Sequence, residues 1–203
     1  MKLYFSPTSP FVRKVMLVLY MRDMINDVQL VPASGTPLEP SKLVAASNPV
    51  GKIPVLVTDD GQAIHDSKVI TRYLDKRSGG GLYPTGDTEF AVLTRESMAD
   101  AMMEAGILAV YETRLRPEGM RIGAITDAYH GKIERMLAAF EADAAAVTKD
   151  DLSIDQIALA CALGYLDLRF PGVIAWRGKA PKLAAWYDEY RETPHMLMTA
   201  PKG

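Results

Sequence analysis

Three short stretches carry the residue types that could do chemistry. Ser9 stands in Ser6-Pro7-Thr8-Ser9-Pro10, a loop of turn and cap residues that runs into an apolar-periodic segment. Ser followed by Pro reads as an N-cap with proline at the first helical position. A hydroxyl there lies in the positive field of a helix N-terminus and can donate to an anion. Read structurally, Ser9 is an N-cap worth ~1 kcal/mol, and Ser6 and Thr8 offer hydroxyls in the same loop. The second stretch is Asn48-Pro49-Val50-Gly51-Lys52-Ile53-Pro54-Val55-Leu56-Val57. Pro54 cannot donate a ladder hydrogen bond, so it suits the mouth of a strand, and a cis peptide fits such a junction. Ile53 is pushed to extended geometry, with backbone groups able to pair with an extended peptide ligand. Read structurally, Pro54 is a turn proline. The third stretch is Asp66-Ser67, the expected start of a helix, where N–H groups and the helix dipole favour an anion. Ordinary capping does not exclude that use.

These stretches need elements to hold them. Lys2–Phe5 reads as a strand and residues 11–21 as a helix, with apolar positions at helical spacing. A second strand over 28–31 is expected parallel to the first, since a helix separates them. A short helix over 40–47 follows, then strand 55–57. Asp60-Gly61 signals a hairpin turn into a return strand over 62–64. Asp66-Ser67 then starts a helix with Val69, Ile70, Tyr73 and Leu74 on its apolar face. The order is β-α-β-α-β-β-α. After Ser78-Gly79-Gly80-Gly81 the pattern turns helical: one long helix from Asp87 to Arg114, one from about Ile122 to Val147, a buried one over 157–170, and an amphipathic one over 182–192. Ser153-Ile154-Asp155-Gln156 reads as a capping box. Two domains are expected: an α/β domain over 1–80 and an all-helical one over 87–203.

Composition sets limits. The 203 residues carry 23 Lys and Arg against 25 Asp and Glu, a net charge of −2. With no basic run, nothing suits a general nucleic-acid or anionic-membrane binder. No apolar run reaches the ~20 residues of a membrane span. The single cysteine, Cys161, allows neither an internal disulfide nor a Cys-x-x-Cys redox centre. His65, His130 and His195 lack metal-ligand spacing, so no metal is expected. The chain starts on a strand-like run and not on a signal segment, and a cytoplasmic location is the expectation.

With the Asn-Pro-x-Gly-Lys-Ile-Pro-Val-Leu segment, the Asp66-Ser67 helix start, the β-α-β-α-β-β-α order and the helical second half, the chain resembles the cytosolic glutathione S-transferase superfamily. Pro7-Thr8-Ser9-Pro10-Phe11-Val12-Arg13-Lys14-Val15 is similar to the start of its serine-type bacterial members. The tyrosine-type members would put a Tyr near the end of the first strand, where this chain has Phe5.

The resemblance implies a thioredoxin-like N-terminal domain, an all-α C-terminal bundle and glutathione as co-substrate. Ser9 matches the catalytic serine that stabilises the glutathione thiolate, with a shift to Thr8 left open. Ile53, before the cis-Pro54, would pair with the cysteinyl backbone. Asp66 and Ser67 match the pair that holds the γ-glutamyl end. Lys52 would meet the glycyl carboxylate, although some serine-type relatives carry a His where Gly51 stands. Arg13 is expected to be structural, bridging the domains. The second substrate would be a small hydrophobic electrophile, with Met102, Met103, Ile107, Val110, Tyr111 and Arg114 as candidate linings. A Met stripe at helical spacing is more often core or interface. A homodimer is implied, using residues 64–77 and the helix from Asp87. The alternative is a non-catalytic glutathione-binding or interaction protein of the stress-protein kind. A metabolite-specific isomerase ranks below both, because its Ser-Ser-Cys start is missing.

Overall fold

The computed structural model describes residues 1–148 and 152–201. Residues 149–151 and 202–203, inside the expected 87–203 domain, lie outside the described residues. The element order is β1 (Lys2–Phe5), α1 (Pro10–Met21), β2 (Gln29–Pro32), α2 (Lys42–Ser47), β3 (Val55–Val57), β4 (Ala63–Ile64), α3 (Ser67–Arg77), α4 (Glu89–Arg114), α5 (Gly123–Ala142), α6 (Ile154–Arg169), α7 (Trp176–Lys179), α8 (Pro181–Tyr190) and α9 (Pro194–Met198). The chain divides into two compact units. Met1–Tyr83 and the chain from Pro194 onward form one, and Pro84–Thr193 the other. The 87–203 expectation therefore differs at its end. The last described segment belongs with the first unit, where Arg13 of α1 donates to the Met196 carbonyl.

In the first unit the four strands form a mixed sheet in the order β2-β1-β3-β4. β1 is parallel to β2 and antiparallel to β3, and β3 is antiparallel to β4. The β1–β2 pair is parallel because α1 carries the chain back between them. Residues alternate between faces. Tyr4 and Val55, paired across β1 and β3, share one face with Val44 of α2. Leu3, Leu56 and Ile64 point to the other face, and all are buried. The helices α1 and α3 pack together and bury Val12, Val15, Val18, Ile70 and Leu74. The hairpin closes as the Asp-Gly signal predicts: the Thr58 N–H donates to the Gln62 carbonyl at 2.9 Å, and Gly61 takes φ +88, a region open to glycine.

The second unit is helical. α6 is buried on every side from Ile154 to Leu166, as its apolar composition predicts, and packs against α4. Met102 and Met103 on α4 are buried core, so two of the candidate linings take the structural role. The capping box does not form. Ser153 stands at the N-cap position, but its hydroxyl donates to Asp155 Oδ1 at 2.5 Å, and Gln156 Nε2 reaches the Ala146 carbonyl at 3.2 Å. Asp155 also accepts from Arg95 Nε at 2.6 Å, so the carboxylate two residues past the cap captures the hydroxyl. The long helix expected over 122–147 stops at Ala142 and ends in a 3-10 turn over Ala144–Ala146. Among the described residues no helix is long and apolar enough to cross a membrane.

Candidate active site

The sheet topology brings the three stretches to one end of the first unit. β1 delivers the chain from Phe5 into the Ser6–Ser9 loop. Because β3 is antiparallel to β1, with Tyr4 opposite Val55, the start of β3 lies beside the end of β1. β4 reverses again, with Ile64 opposite Leu56, so its exit toward Asp66 lies at the same end. Ser9, Ile53-Pro54 and Asp66-Ser67 are the residues that leave or enter the sheet there.

Ser9 is the N-cap of α1, with Pro10 as the first helical residue. Its Oγ accepts from the Val12 N–H at 3.3 Å. That bond uses a lone pair and leaves the hydroxyl hydrogen for donation. The Ser9 N–H donates to the Ser6 carbonyl at 3.2 Å, while Thr8 Oγ1 lies 3.5 Å from Ser6 Oγ. Of the loop hydroxyls, Ser9 is the one seated on the helix axis end, where the dipole favours negative charge.

The peptide bond between Ile53 and Pro54 is cis, and that between His65 and Asp66 is also cis. β3 starts at Val55, so Ile53 lies outside the strand ladder. Pro54 is buried, Ile53 half-buried and Lys52 exposed. Ile53 packs against the cluster of Tyr4, Val44 and Val55. The loop before it is fixed by Asn48, the first residue of the second stretch, for which the sequence suggested no role of its own. Asn48 is only 2% exposed. Its Nδ2 donates to the Lys52 carbonyl at 2.8 Å, and its Oδ1 accepts from the Val50 N–H at 3.0 Å. Its backbone N–H donates to the Val44 carbonyl at 2.8 Å, and its carbonyl accepts from Gly51 at 2.9 Å. The Asn-Pro-x-Gly composition was the available signal for such a turn.

Asp66 is the N-cap of α3, and its Oδ1 accepts from the Lys68 N–H at 3.0 Å. Asp66 is exposed, and Ser67 behind it is buried. The Ser67 carbonyl accepts from the Thr71 hydroxyl at 2.9 Å, and that hydroxyl also meets the Tyr83 phenol at 2.7 Å. The first turn of α3 contains no acid besides its cap, so the positive end of its dipole is balanced there by a single carboxylate. Among the described residues no group of three or more His, Cys, Asp or Glu side chains is placed to hold a metal ion.

The fold agrees with the comparisons to known proteins. Residues 3–81 match the glutathione S-transferase N-terminal domain, and residues 123–189 match the glutathione S-transferase C-terminal domain. The chain is 34% identical over 178 residues to YibF of Escherichia coli (strain K12), an uncharacterized GST-like protein, covering 83% of each. A glutathione transferase family member from Pseudomonas fluorescens Pf-5, solved with bound glutathione, is 40% identical with a TM-score of 0.93, over 100% of this chain and 99% of that one. A glutathione S-transferase from Methylobacillus flagellatus KT, solved with glutathione bound, is 37% identical with a TM-score of 0.88, over 99% of each chain. The chain belongs to the glutathione S-transferase family.

Proposed function

We propose that this protein is a glutathione transferase in which the Ser9 hydroxyl stabilises the glutathione thiolate for attack on a small electrophile. The observation that carries this reading is the convergence of Ser9, Ile53-Pro54 and Asp66-Ser67 on one end of the sheet. Ile53, outside the ladder, offers main-chain groups to the cysteinyl unit as an added strand would. The N-terminus of α3 takes the γ-glutamyl carboxylate, Ser67 adds to it, and Asp66 faces the ammonium. Lys52 offers a charge to the glycyl carboxylate. The Ser9 O–H, in the positive field of the α1 N-terminus, donates to sulfur. Lowering a thiol pKa by about two units takes ~2.7 kcal/mol, within reach of a charge-assisted hydrogen bond and a helix terminus. The thiolate then attacks carbon, a C–S bond forms, and the leaving group departs with its electron pair.

Related structures support the choice of thiol. Two carry glutathione, and another from the Pseudomonas fluorescens protein carries S-(propanoic acid)-glutathione. A symmetric dimer is part of the reading, since Val69 on α3 and Phe90 on α4 are exposed apolar side chains. A cytoplasmic location suits a glutathione-dependent enzyme.

The experiment compares wild type with Ser9→Ala for glutathione affinity, for thiolate absorbance of the bound ligand and for turnover of an aromatic chloride. The expected result is near-normal affinity, loss of the thiolate band at neutral pH and a fall in kcat of about 10–100-fold, the loss of one hydrogen bond to a charged group. Unchanged turnover removes Ser9 from the mechanism. Glutathione bound by wild type with no thiolate band would favour a binding protein.

A further inference from the structure

The helical unit holds a cluster that thiolate activation does not use. Tyr165 of α6 lies against α4 at Gly106: a Cβ on Gly106 would stand 3.1 Å from Tyr165 Cε1 and 3.5 Å from Phe170 Cε2. The glycine lets two aromatic rings seat directly on the helix backbone. One turn beyond Tyr165, the Arg169 guanidinium lies 5.9 Å from the Tyr165 ring centre. The Phe170 ring meets His130 of α5 edge-on at 5.4 Å. Arg169 Nε and His130 Nε2 are both buried with no hydrogen-bond partner. Burial pushes the Tyr165 hydroxyl above its ordinary pKa range, against the pull of Arg169 and, more weakly, Arg114, while Tyr111 adds to the push. Arg95 meets Asp155 near the start of both helices and Gly106 meets Tyr165 further on, so α4 and α6 run in the same direction and Tyr111 and Arg114 lie toward the same end as Arg169.

Among the described residues neither Arg114 nor Arg169 has a carboxylate partner. The two helices thus carry two guanidinium groups and two phenol hydroxyls toward one end of the unit, and among the described residues neither guanidinium is paired with an acid. An orphaned buried donor costs free energy unless something accepts from it. A carboxylate is an acceptor-only group with two coplanar oxygens, and it matches the guanidinium fork. The flanking rings of Tyr165 and Phe170 suit an apolar body attached to it.

We propose that Arg114 and Arg169, with the Tyr111 and Tyr165 hydroxyls, bind the carboxylate of a small organic acid, so that the preferred electrophile carries a carboxylate. The assignment of that acid as the second substrate rests on the transferase reading; the binding itself does not.

The first test is equilibrium binding of benzoate and of benzamide, its neutral counterpart, to wild type, Arg114→Gln and Arg169→Gln, followed by ligand-observed NMR. Wild type is expected to bind benzoate saturably and benzamide at least about tenfold more weakly, and each variant to lose about tenfold for benzoate alone, the worth of one charge-assisted hydrogen bond. Arg114 is exposed, so its variant reports even if the change at Arg169 impairs folding. Equal binding of the two probes, equal benzoate binding by wild type and both variants, or displacement of benzoate by equimolar inorganic phosphate overturns the proposal. The second test is glutathione alkylation by iodoacetate and by iodoacetamide. In both, sulfur attacks the methylene, the C–S bond forms, the C–I bond breaks and iodide leaves with the pair. Arg114→Gln is expected to lower kcat/KM for iodoacetate about tenfold and to leave iodoacetamide within about twofold. Parallel losses overturn the substrate assignment. If wild type alkylates glutathione with neither reagent, the transferase reading fails while selective benzoate binding upholds the site.

Discussion

Arg13 Nη2 donates to the Met196 carbonyl at 3.1 Å, and Arg13 Nε reaches Thr199 Oγ1 at 3.4 Å. Arg13 is 8% exposed, and among the described residues every acceptor its guanidinium meets is neutral. One turn after the Ser9 cap, this residue ties the last described segment to α1. Arg13→Met removes both donors and leaves the Met196 carbonyl with only the Thr199 hydroxyl, at 3.4 Å. The expected loss is about 2–3 kcal/mol, from hydrogen bonds with a charged member. Thermal unfolding checks the magnitude, and limited proteolysis should find new cuts between Pro194 and Thr199. An unchanged melting temperature would mean that the clamp contributes nothing.

Asn48 uses its side-chain amide and both backbone groups to hold residues 44–52 in one turn. Asn48→Ala orphans the Lys52 carbonyl and the Val50 N–H. The expected cost is ~1–3 kcal/mol of stability and, because Ile53 follows at once, a three- to tenfold weaker affinity for glutathione, or ~1 kcal/mol at the site. Asn48→Asp keeps the acceptor for Val50 but sets a carboxylate against the Lys52 carbonyl, so it should be the worse variant. Titration with glutathione and urea unfolding of both variants check the ranking.

Local grammar made much of the architecture legible. Ser-Pro before an apolar period marked the start of α1, Asp66-Ser67 marked α3, and Asp-Gly marked the hairpin, because each is decided within a few residues of chain. Given those elements, antiparallel pairing of β3 with its neighbours brings Ser9, Ile53 and Asp66 to one end of the sheet. What stayed hidden depends on contacts remote in sequence. The Ser153 box was the right pattern with the wrong partner, since Arg95, on another helix, holds Asp155 where it captures the hydroxyl. α9 is five residues long, too short for a helical period to show. A structural, bridging Arg13 was expected, but its partner, the Met196 carbonyl 183 positions away, lies in the same unit as α1, and no spacing rule reaches that far.

Asp75 anchors the exit from α3. It is 3% exposed; its Oδ1 accepts from Arg22 Nη2 at 2.8 Å and the Leu82 N–H at 3.1 Å, and its Oδ2 from the Tyr83 N–H at 3.4 Å. Gly81 passes so close that an added Cβ would stand 3.2 Å from Arg22 Nη2, at φ +115. Asp75→Asn replaces one acceptor oxygen by a donor and removes the charge that Arg22 faces. A loss of about 2–3 kcal/mol is expected, and Gly81→Ala should also destabilise, by strain at positive φ. Chemical denaturation measures both. A neutral Asp75→Asn would show that backbone hydrogen bonds alone hold the 78–83 turn.

Glu112 gives the helical unit a pH dependence of definite sign. Its Oε2 accepts from Arg116 Nε at 2.5 Å, and its Oε1 from the Ile122 N–H at 3.2 Å. The Arg116 hydrogen bond, helped by the Ile122 N–H and the Arg116 charge, holds the carboxyl below its ordinary value of 4.5. A carboxyl lowered in the folded state binds fewer protons there than in the unfolded chain. Its contribution is therefore complete above the ordinary value and is lost as pH falls through the lowered one. Glu112→Gln removes the titration while keeping an acceptor. The stability gap between wild type and Glu112→Gln should be constant from neutral pH down to about pH 5 and should shrink below it. Urea midpoints measured across that range decide the point, and a gap that widened on acidification would assign the acid sensitivity of this unit to another group.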